Sequence, residues 1–439
     1  MKKGIKCLTA LLLMVLILSG CAMTVEQMYR LPKRSERFDN LQTQIDLAMS
    51  GMEYCAPVSG ENQQTVQMAD LDGDGNSEVI VFAKGTDEDP MKVLLFTPVE
   101  DGYKLMAILD STGTAFDQVE YVQMDGKPGL ELIVGHQLSD KVLRNVTVYS
   151  FADGQSSMLM SAKYTKFLTC DLDEDGLSDL FVIRSGSQEN NAAVAALYSV
   201  HNGELERSAE AELSAPAENL KRIITGELAS GESGVYVAST AGEESIITDV
   251  FTLVDGVFTN VSFSNESGTS VKTLRNYYVY ADDIDNDGAV ELPYLITMKS
   301  PQGQETASQH LIRWYAMNAD GSEVVKKHTY HNFLEGWYVE LKQNLALKTC
   351  VVKDENGGYQ FRRWDDSGEE TTLLFTLYTL TGEERLAAAQ EGDLLEVLKT
   401  ETVVYAAKLE TAAADWGIDA DYLNKSFHLI QIDWKTGEM

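Results

Sequence analysis

The stretch from Ala69 to Phe82, ADLDGDGNSEVIVF, places four carboxylates within nine residues and runs directly into an apolar segment. With Asp70 as position 1, the acids stand at positions 1, 3, 5 and 9 (Asp70, Asp72, Asp74 and Glu78), and Gly75 occupies position 6. Carboxylates crowded this way repel one another unless a hard cation takes up the charge. Oxygen ligands on alternate residues, with a glycine for the sharp turn, suit calcium. A helix–loop–helix calcium site needs a bidentate Glu at position 12 and flanking helices. Position 12 here is Val81, inside a strand-like run, so the loop is not an EF-hand.

The pattern recurs. CDLDEDGLSDLFVI from Cys170 and DDIDNDGAVELPYLI from Asp282 keep D-x-D-x-D-G and the acid at position 9. A solvated acidic turn does not explain the same four positions being acidic in three separate copies. Two weaker copies follow the same length: VQMDGKPGLELIVG from Val122 and TGELASGESGVYVA from Thr225. The first retains Asp125 and Glu131 and places Lys127 at position 5, where an ammonium can replace the cation. The second keeps Gly231 and the following apolar strand but no carboxylate at a ligand position. First positions at Asp70, Gln123, Asp171, Gly226 and Asp283 give spacings of 53, 48, 55 and 57 residues, a period that marks a propeller or solenoid. Each period holds four apolar runs. In the first unit these are QTVQMA, EVIVFA, KVLLFTPV and YKLMAIL, with the acidic loop between the first two. Four short strands per unit describe a propeller blade. The predicted fold class is therefore mainly β, a β-propeller of about five four-stranded blades with D-x-D-x-D-G loops, followed by a C-terminal α+β domain.

These residues resemble the FG-GAP or VCBS repeat family, known from integrin α-subunit propellers and many bacterial surface proteins, over Gln64 to about Asn332. The resemblance implies calcium held by side chains at positions 1, 3, 5 and 9 and by the carbonyl at position 7. On this chain those are Asp70, Asp72, Asp74, Asn76 and Glu78; Asp171, Asp173, Asp175, Leu177 and Asp179; and Asp283, Asp285, Asp287, Ala289 and Glu291.

The N-terminus, MKKGIKCLTALLLMVLILSGC, has a basic head, an apolar run from Leu8 to Leu18 and small residues before Cys21. This is a secretory signal, not a membrane span. Leu18-Ser19-Gly20-Cys21 resembles the bacterial lipoprotein box, which implies lipid on Cys21, anchorage to the cell membrane and an extracytoplasmic protein. The expected organisation is a signal peptide at 1–20, a lipid-anchored tether and short helix at 21–60, the propeller at 61–332 and the α+β domain at 333–439. Helical spacing of Leu41, Ile45 and Leu47 or Met49, with Gly51 as a stop, predicts one helix packing on the propeller.

Removing residues 1–20 takes the formal charge from −33 to −36, too acidic for a nucleic-acid partner. The basic exception is YRLPKRSER, Tyr29 to Arg37, either a solvated linker or a membrane contact. Cys55, Cys170 and Cys350 form neither a metal spacing nor a disulfide framework.

In the C-terminal region, WYVEL, KTCVVK, GYQFRRW, TLLFTLYTL, EVLKT, TVVYAAKL and FHLIQIDW read as strands, with short helices at GEERLAAAQ and DADYLNKS. FRRWDD, Phe361 to Asp366, reads as a strand with one buried and one charged face rather than a contact patch. His328 and His331 in HTYH read as structural rather than metal-binding. H-E-x-x-H, G-x-S-x-G, phosphate loops and dinucleotide fingerprints are all missing from the chain. The expectation is thus of a protein that is not an enzyme, a binding or scaffold module for a surface protein or glycan. The alternative is a carbohydrate-active enzyme with its cleft on a propeller face.

Overall fold

Runs of β-branched and aromatic residues, broken by Gly, Asp and Asn, favour short strands joined by tight turns. The computed structural model describes residues 36–431 except 87, 89, 139–142, 152–153, 187–190, 202–203, 278 and 302–309. It builds most of these into six antiparallel sheets. The signal sequence and Cys21 lie outside the described residues, as do most residues of the basic stretch.

The first four sheets are meanders in chain order. The first comprises Val66–Ala69, Glu78–Lys84, Met91–Val99 and Gly102–Ser111, with Glu53–Tyr54 sharing an edge of the second strand. The second runs through Ala115–Val122, Glu131–Gln137, Arg144–Ser150 and Ser157–Tyr164. The third has Lys166–Cys170, Asp179–Arg184, Val194–His201 and Glu204–Arg207, with Ala211–Glu212 added to its third strand. The fourth has Leu220–Glu227, Ser233–Thr240, Ile246–Val254 and Val257–Asn260. Each repeat loop joins the first strand of its sheet to the second, as the sequence pattern predicts.

The fifth sheet differs. Its opening strand is reduced to a single bridge, Asp282 with Glu291, ahead of Glu291–Thr297, His310–Met317 and Glu323–Asn332. It is extended at the far edge by Trp337–Glu340 and then by Phe427–Leu429. The expected division at 332/333 therefore runs through a hydrogen-bonded sheet. The sixth sheet, ordered Thr349–Lys353, Tyr359–Trp364, Thr371–Thr381, Val403–Leu409 and Leu395–Lys399, occupies the strands foreseen for the C-terminal region. The two short helices expected there form as Arg385–Ala388 and Ala420–Ser426, and a third, Gln343–Ala346, precedes the sixth sheet.

Successive sheets pack face to face. Phe82 and Leu95 of the first meet Phe116 and Leu132 of the second. Ile133 and Val148 of the second meet Leu180 and Val182 of the third. Phe181 packs on Val235 and Phe251 of the fourth sheet, and Tyr236 packs on Leu292 and Tyr315 of the fifth. Tyr330 and Trp337 join Phe361 and Phe375 in one core shared by the fifth and sixth sheets. With both faces covered, a strand reads as an unbroken apolar run rather than an alternating one, which is why Val79 to Ala83 are buried without exception.

The outer face of the first sheet is covered by the helix Glu36–Ala48. Leu41, Ile45 and Met49 lie on Val79, Val81, Leu94 and Phe96. In a closed ring of blades that place belongs to the last sheet. The five expected units are the first five sheets and the sixth lies in the C-terminal region; a helix, not a further sheet, covers the outer face of the first.

Candidate metal centres and an adjoining cavity

Each full acidic loop is organised by its own backbone amides. The position-1 carboxylate accepts from the position-6 glycine: Gly75 N to Asp70 Oδ2 at 3.0 Å, Gly176 N to Asp171 Oδ2 at 3.0 Å and Gly288 N to Asp283 Oδ2 at 2.9 Å. These glycines have φ of 86°, 86° and 95°, where a side chain is strained. The position-9 acid is carried in on the second strand and is buried, Glu78 and Glu291 at 0% exposure and Asp179 at 4%. It accepts from the position-2 amide: Leu71 N at 2.9 Å, Leu172 N at 3.0 Å and Ile284 N at 3.0 Å.

The acids at positions 1, 3 and 9 converge in all three copies. Asp70, Asp72 and Glu78 offer oxygens within 4.8 Å of one another, as do Asp171, Asp173 and Asp179, and Asp283, Asp285 and Glu291. These three clusters can hold a metal ion. Position 5 stands outside them: Asp74, Asp175 and Asp287 accept from the amides of Asn76, Leu177 and Ala289 at 2.7, 2.8 and 3.0 Å, closing the turn. In the third loop Asp287 also accepts from Lys326 Nζ at 2.6 Å, which holds its carboxyl below the usual range. The buried position-9 acids are pushed the other way by desolvation, Glu291 up to about 7, with the neighbouring acids adding repulsion. Asp171 Oδ1, Asp285 Oδ1 and Glu291 Oε1 are buried with no hydrogen-bond donor. Charge held together and buried in this way is the arrangement a cation relieves.

The weak second copy has the same skeleton without the charge. Gln123 Oε1 accepts from Gly126 N at 2.9 Å, Glu131 accepts from Met124 N at 2.8 Å, and Lys127 Nζ lies 2.7 Å from Asp125. The ammonium pairs with the position-3 acid, as its place in the sequence suggests.

Not legible in the sequence is the way the loops are tied together. The position-8 amide of each unit donates to the loop of the unit before it. Leu130 N reaches Asp70 O at 3.1 Å, Ser178 N reaches Gln123 O at 2.7 Å and Val290 N reaches Glu227 O at 3.0 Å. Ser233 N uses the side chain of Glu174 at 2.8 Å instead. All five loops form one hydrogen-bonded belt.

A cavity of about 420 Å³ opens beside the third loop, between Asp283 and Asp285 and one face of the fifth sheet. That face presents Lys327, Tyr338, Glu340 and His428, none of them singled out by the sequence reading. The available signal was the alternation of polar residues in KKHTYH and WYVE. His331, Tyr338 and His428 form a column of rings with centroids 4.9 and 5.0 Å apart. His331 and His328 are buried and belong to none of the acidic clusters. In FRRWDD, Phe361 and Trp364 are buried, while Arg363 lies over the Trp416 ring at 4.0 Å and pairs with Asp366.

No family model matches the chain, that of the FG-GAP or VCBS repeats included, and no curated protein matches it. Similar solved structures include a protein from Lactobacillus plantarum at 10% identity, covering 73% of this chain and 86% of that one, with a TM-score of 0.26. A rhamnogalacturonan lyase from Bacillus licheniformis is 12% identical, covers 73% and 72%, and has a TM-score of 0.28. A putative 6-phosphogluconolactonase from Bacteroides fragilis is 12% identical, covers 73% and 92%, and has a TM-score of 0.25. Likenesses this loose carry no argument about what this chain does. With rhamnogalacturonan lyases and a putative lactonase among these structures, the expectation that the chain is not an enzyme is withdrawn.

Proposed function

We propose that this protein is an extracytoplasmic lipoprotein, tethered to the cell membrane through Cys21, whose propeller-like stack of sheets is stabilised by calcium and binds or organises a surface protein or glycan. The observation that carries the reading is the convergence of positions 1, 3 and 9 in three separate loops, each with its ninth acid buried. The donor set is all oxygen and carries three carboxylates per site, which fits calcium and not a softer metal. Calcium would supply charge neutralisation at the strand entry. The chain's own residues do the rest: the glycine amide orients the first acid, and the second strand brings in the ninth.

Three loops keep the full acidic set, while the two that start at Gln123 and Gly226 keep the turn without it, which favours a structural role for the ion. Extracellular sites bind at about 10⁻⁴ to 10⁻³ M, so calcium at roughly tenfold excess over Kd stabilises by about 1 to 2 kcal/mol per site. Melting with and without chelator tests this. Asp72→Ala, Asp173→Ala and Asp285→Ala are each expected to remove part of the calcium-dependent rise, and Asp125→Ala to change it little. A wild type without any such rise, or its abolition by Asp125→Ala, overturns the assignment. For the anchor, Cys21→Ser is expected to release the protein from membranes or stall its processing; unchanged retention and processing would overturn it.

A second reading, a carbohydrate-active enzyme, is favoured by Asp285 and Glu340 lining one cavity. Release of reducing sugar from polysaccharide substrates separates the two.

A further inference from the structure

The cavity beside the third acidic loop has a composition that selects among ligands. Its floor is the polar face of the fifth sheet, where register places Trp314 opposite Lys327, Thr329 opposite Glu340 and Tyr338 opposite both His331 and His428. The opposite face of the same strands, with Tyr330, Trp337 and Val339, is the apolar core shared with the sixth sheet. A strand buried on one side and lined with hydrogen-bonding groups on the other, over a hollow of about 420 Å³, has the dimensions of a small-molecule site.

Three ligand classes fail on this lining. An apolar molecule would strip water from carboxylates, hydroxyls and imidazoles without replacing their hydrogen bonds. Even with a calcium ion's two charges set against Asp283, Asp285 and Glu291, an anion would face the charge left over together with Asp282 and Glu340, and the one ammonium, Lys327, already lies 3.3 Å from Glu340. A bulky hydrophobic cation would lack a bare aromatic face on Tyr338, whose ring has imidazoles stacked on both sides. Burial lowers the affinity of His331 and His428 for protons, so at neutral pH each imidazole combines one N–H donor with one acceptor nitrogen. Carboxylate acceptors, neutral imidazoles and a single ammonium donor set out at strand spacing match a ligand in which every group both donates and accepts.

We infer that this cavity binds a neutral, hydroxyl-rich saccharide unit, with Glu340, His428 and Asp285 as its hydrogen-bonding partners. The inference rests on the proposed surface-binding role and gives it a place and a ligand class. Asp285 belongs both to the third acidic cluster and to the cavity wall, so cation and sugar share one side chain.

Saturation-transfer NMR on the full-length protein, with calcium present, can be run with cello-, xylo-, manno- and chito-tetraose as probes. At least one is expected to receive saturation. Glu340→Gln and His428→Ala should weaken that probe tenfold or more, Glu340→Gln while melting as the wild type does, and Glu206→Gln, exposed on the third sheet, should leave it unchanged. Glu340→Gln keeps the shape of the side chain, so it reports on the carboxylate even where His428→Ala disturbs the edge strand. Transfer to none of the four sugars, or transfer indifferent to both cavity variants, overturns the inference. A calcium titration of the same sample by calorimetry keeps the failures apart: calcium uptake without sugar binding rejects the cavity assignment alone, and no calcium uptake rejects the reading beneath it.

Discussion

Glu78, Asp179 and Glu291 carry a negative charge into the start of a buried strand, and that cost is the clearest residue-scale signature in the molecule. Lys127 solves the same problem inside the chain. Its partner Asp125 has a side chain only 6% exposed. Replacing Lys127 with Ala leaves that carboxylate without its ammonium and should cost on the order of 1 kcal/mol in urea unfolding. The Asp125→Asn, Lys127→Ala double variant should lose less than the sum of the two single losses, because the pair acts as a unit. His136 gives a different test. It is 3% exposed against Phe116, and burial pushes its pKa down to about 4. An unfolded histidine takes its proton near pH 6.5. Between those values the unfolded chain binds more protons, so stability is full above about pH 6.5 and falls as pH drops towards about 4. The expected loss between about pH 7.5 and about pH 5 is about 2 kcal/mol from His136, with His331 acting in the same sense. His136→Gln should flatten part of that slope in urea melts taken at the two pH values.

At the scale of single elements, the N-terminal helix shows how far local pattern reaches. The spacing of Leu41, Ile45 and either Leu47 or Met49 is visible in the sequence; the helix forms with Leu41 and Ile45 inward, Met49 one residue past its end packs beside them, and Leu47 is exposed. Its seat is not visible, because it depends on which sheet face is left without a neighbour. Asn40 fixes the seat by accepting from Tyr103 N at 2.8 Å, close against Gly102. A Cβ on Gly102 would stand 2.3 Å from Asn40 Oδ1. Gly102→Ala should therefore lift the helix and expose the first sheet, detected as increased binding of an apolar dye and a lower melting temperature. Ile45→Ala, at a site 4% exposed, should cost about 2 to 4 kcal/mol in urea unfolding by leaving a cavity over Val79 and Val81. A loss below about 0.5 kcal/mol would mean that the helix is not docked in solution.

For the whole molecule, the fifth and sixth sheets are joined by pairing and by a common core. Ending the chain at residue 332 would strip Glu323–Asn332 of its partner Trp337–Glu340 and uncover Tyr330 and Leu311. The 1–332 fragment is expected to be insoluble or to lose its last sheet. A soluble fragment whose melting matches the full chain would support the division at 332/333. The sequence alone determined the repeat, the strand-loop-strand unit and the members of each acidic set, since all of these depend on residues a few positions apart: strand alternation, turn glycines and charge spacing. It also placed the C-terminal strands, whose runs are separated by plain turn residues. Only the tertiary structure decided that Asp287, which closes its turn on the Ala289 amide as Asp74 and Asp175 close theirs, also answers Lys326 from a strand 39 residues away. It likewise decided that the fifth sheet gives up its opening strand and gains two at the far edge, one of them drawn from residues 427–429. Those choices rest on contacts between residues distant in sequence, made only when apolar faces and unpaired strand edges find their partners.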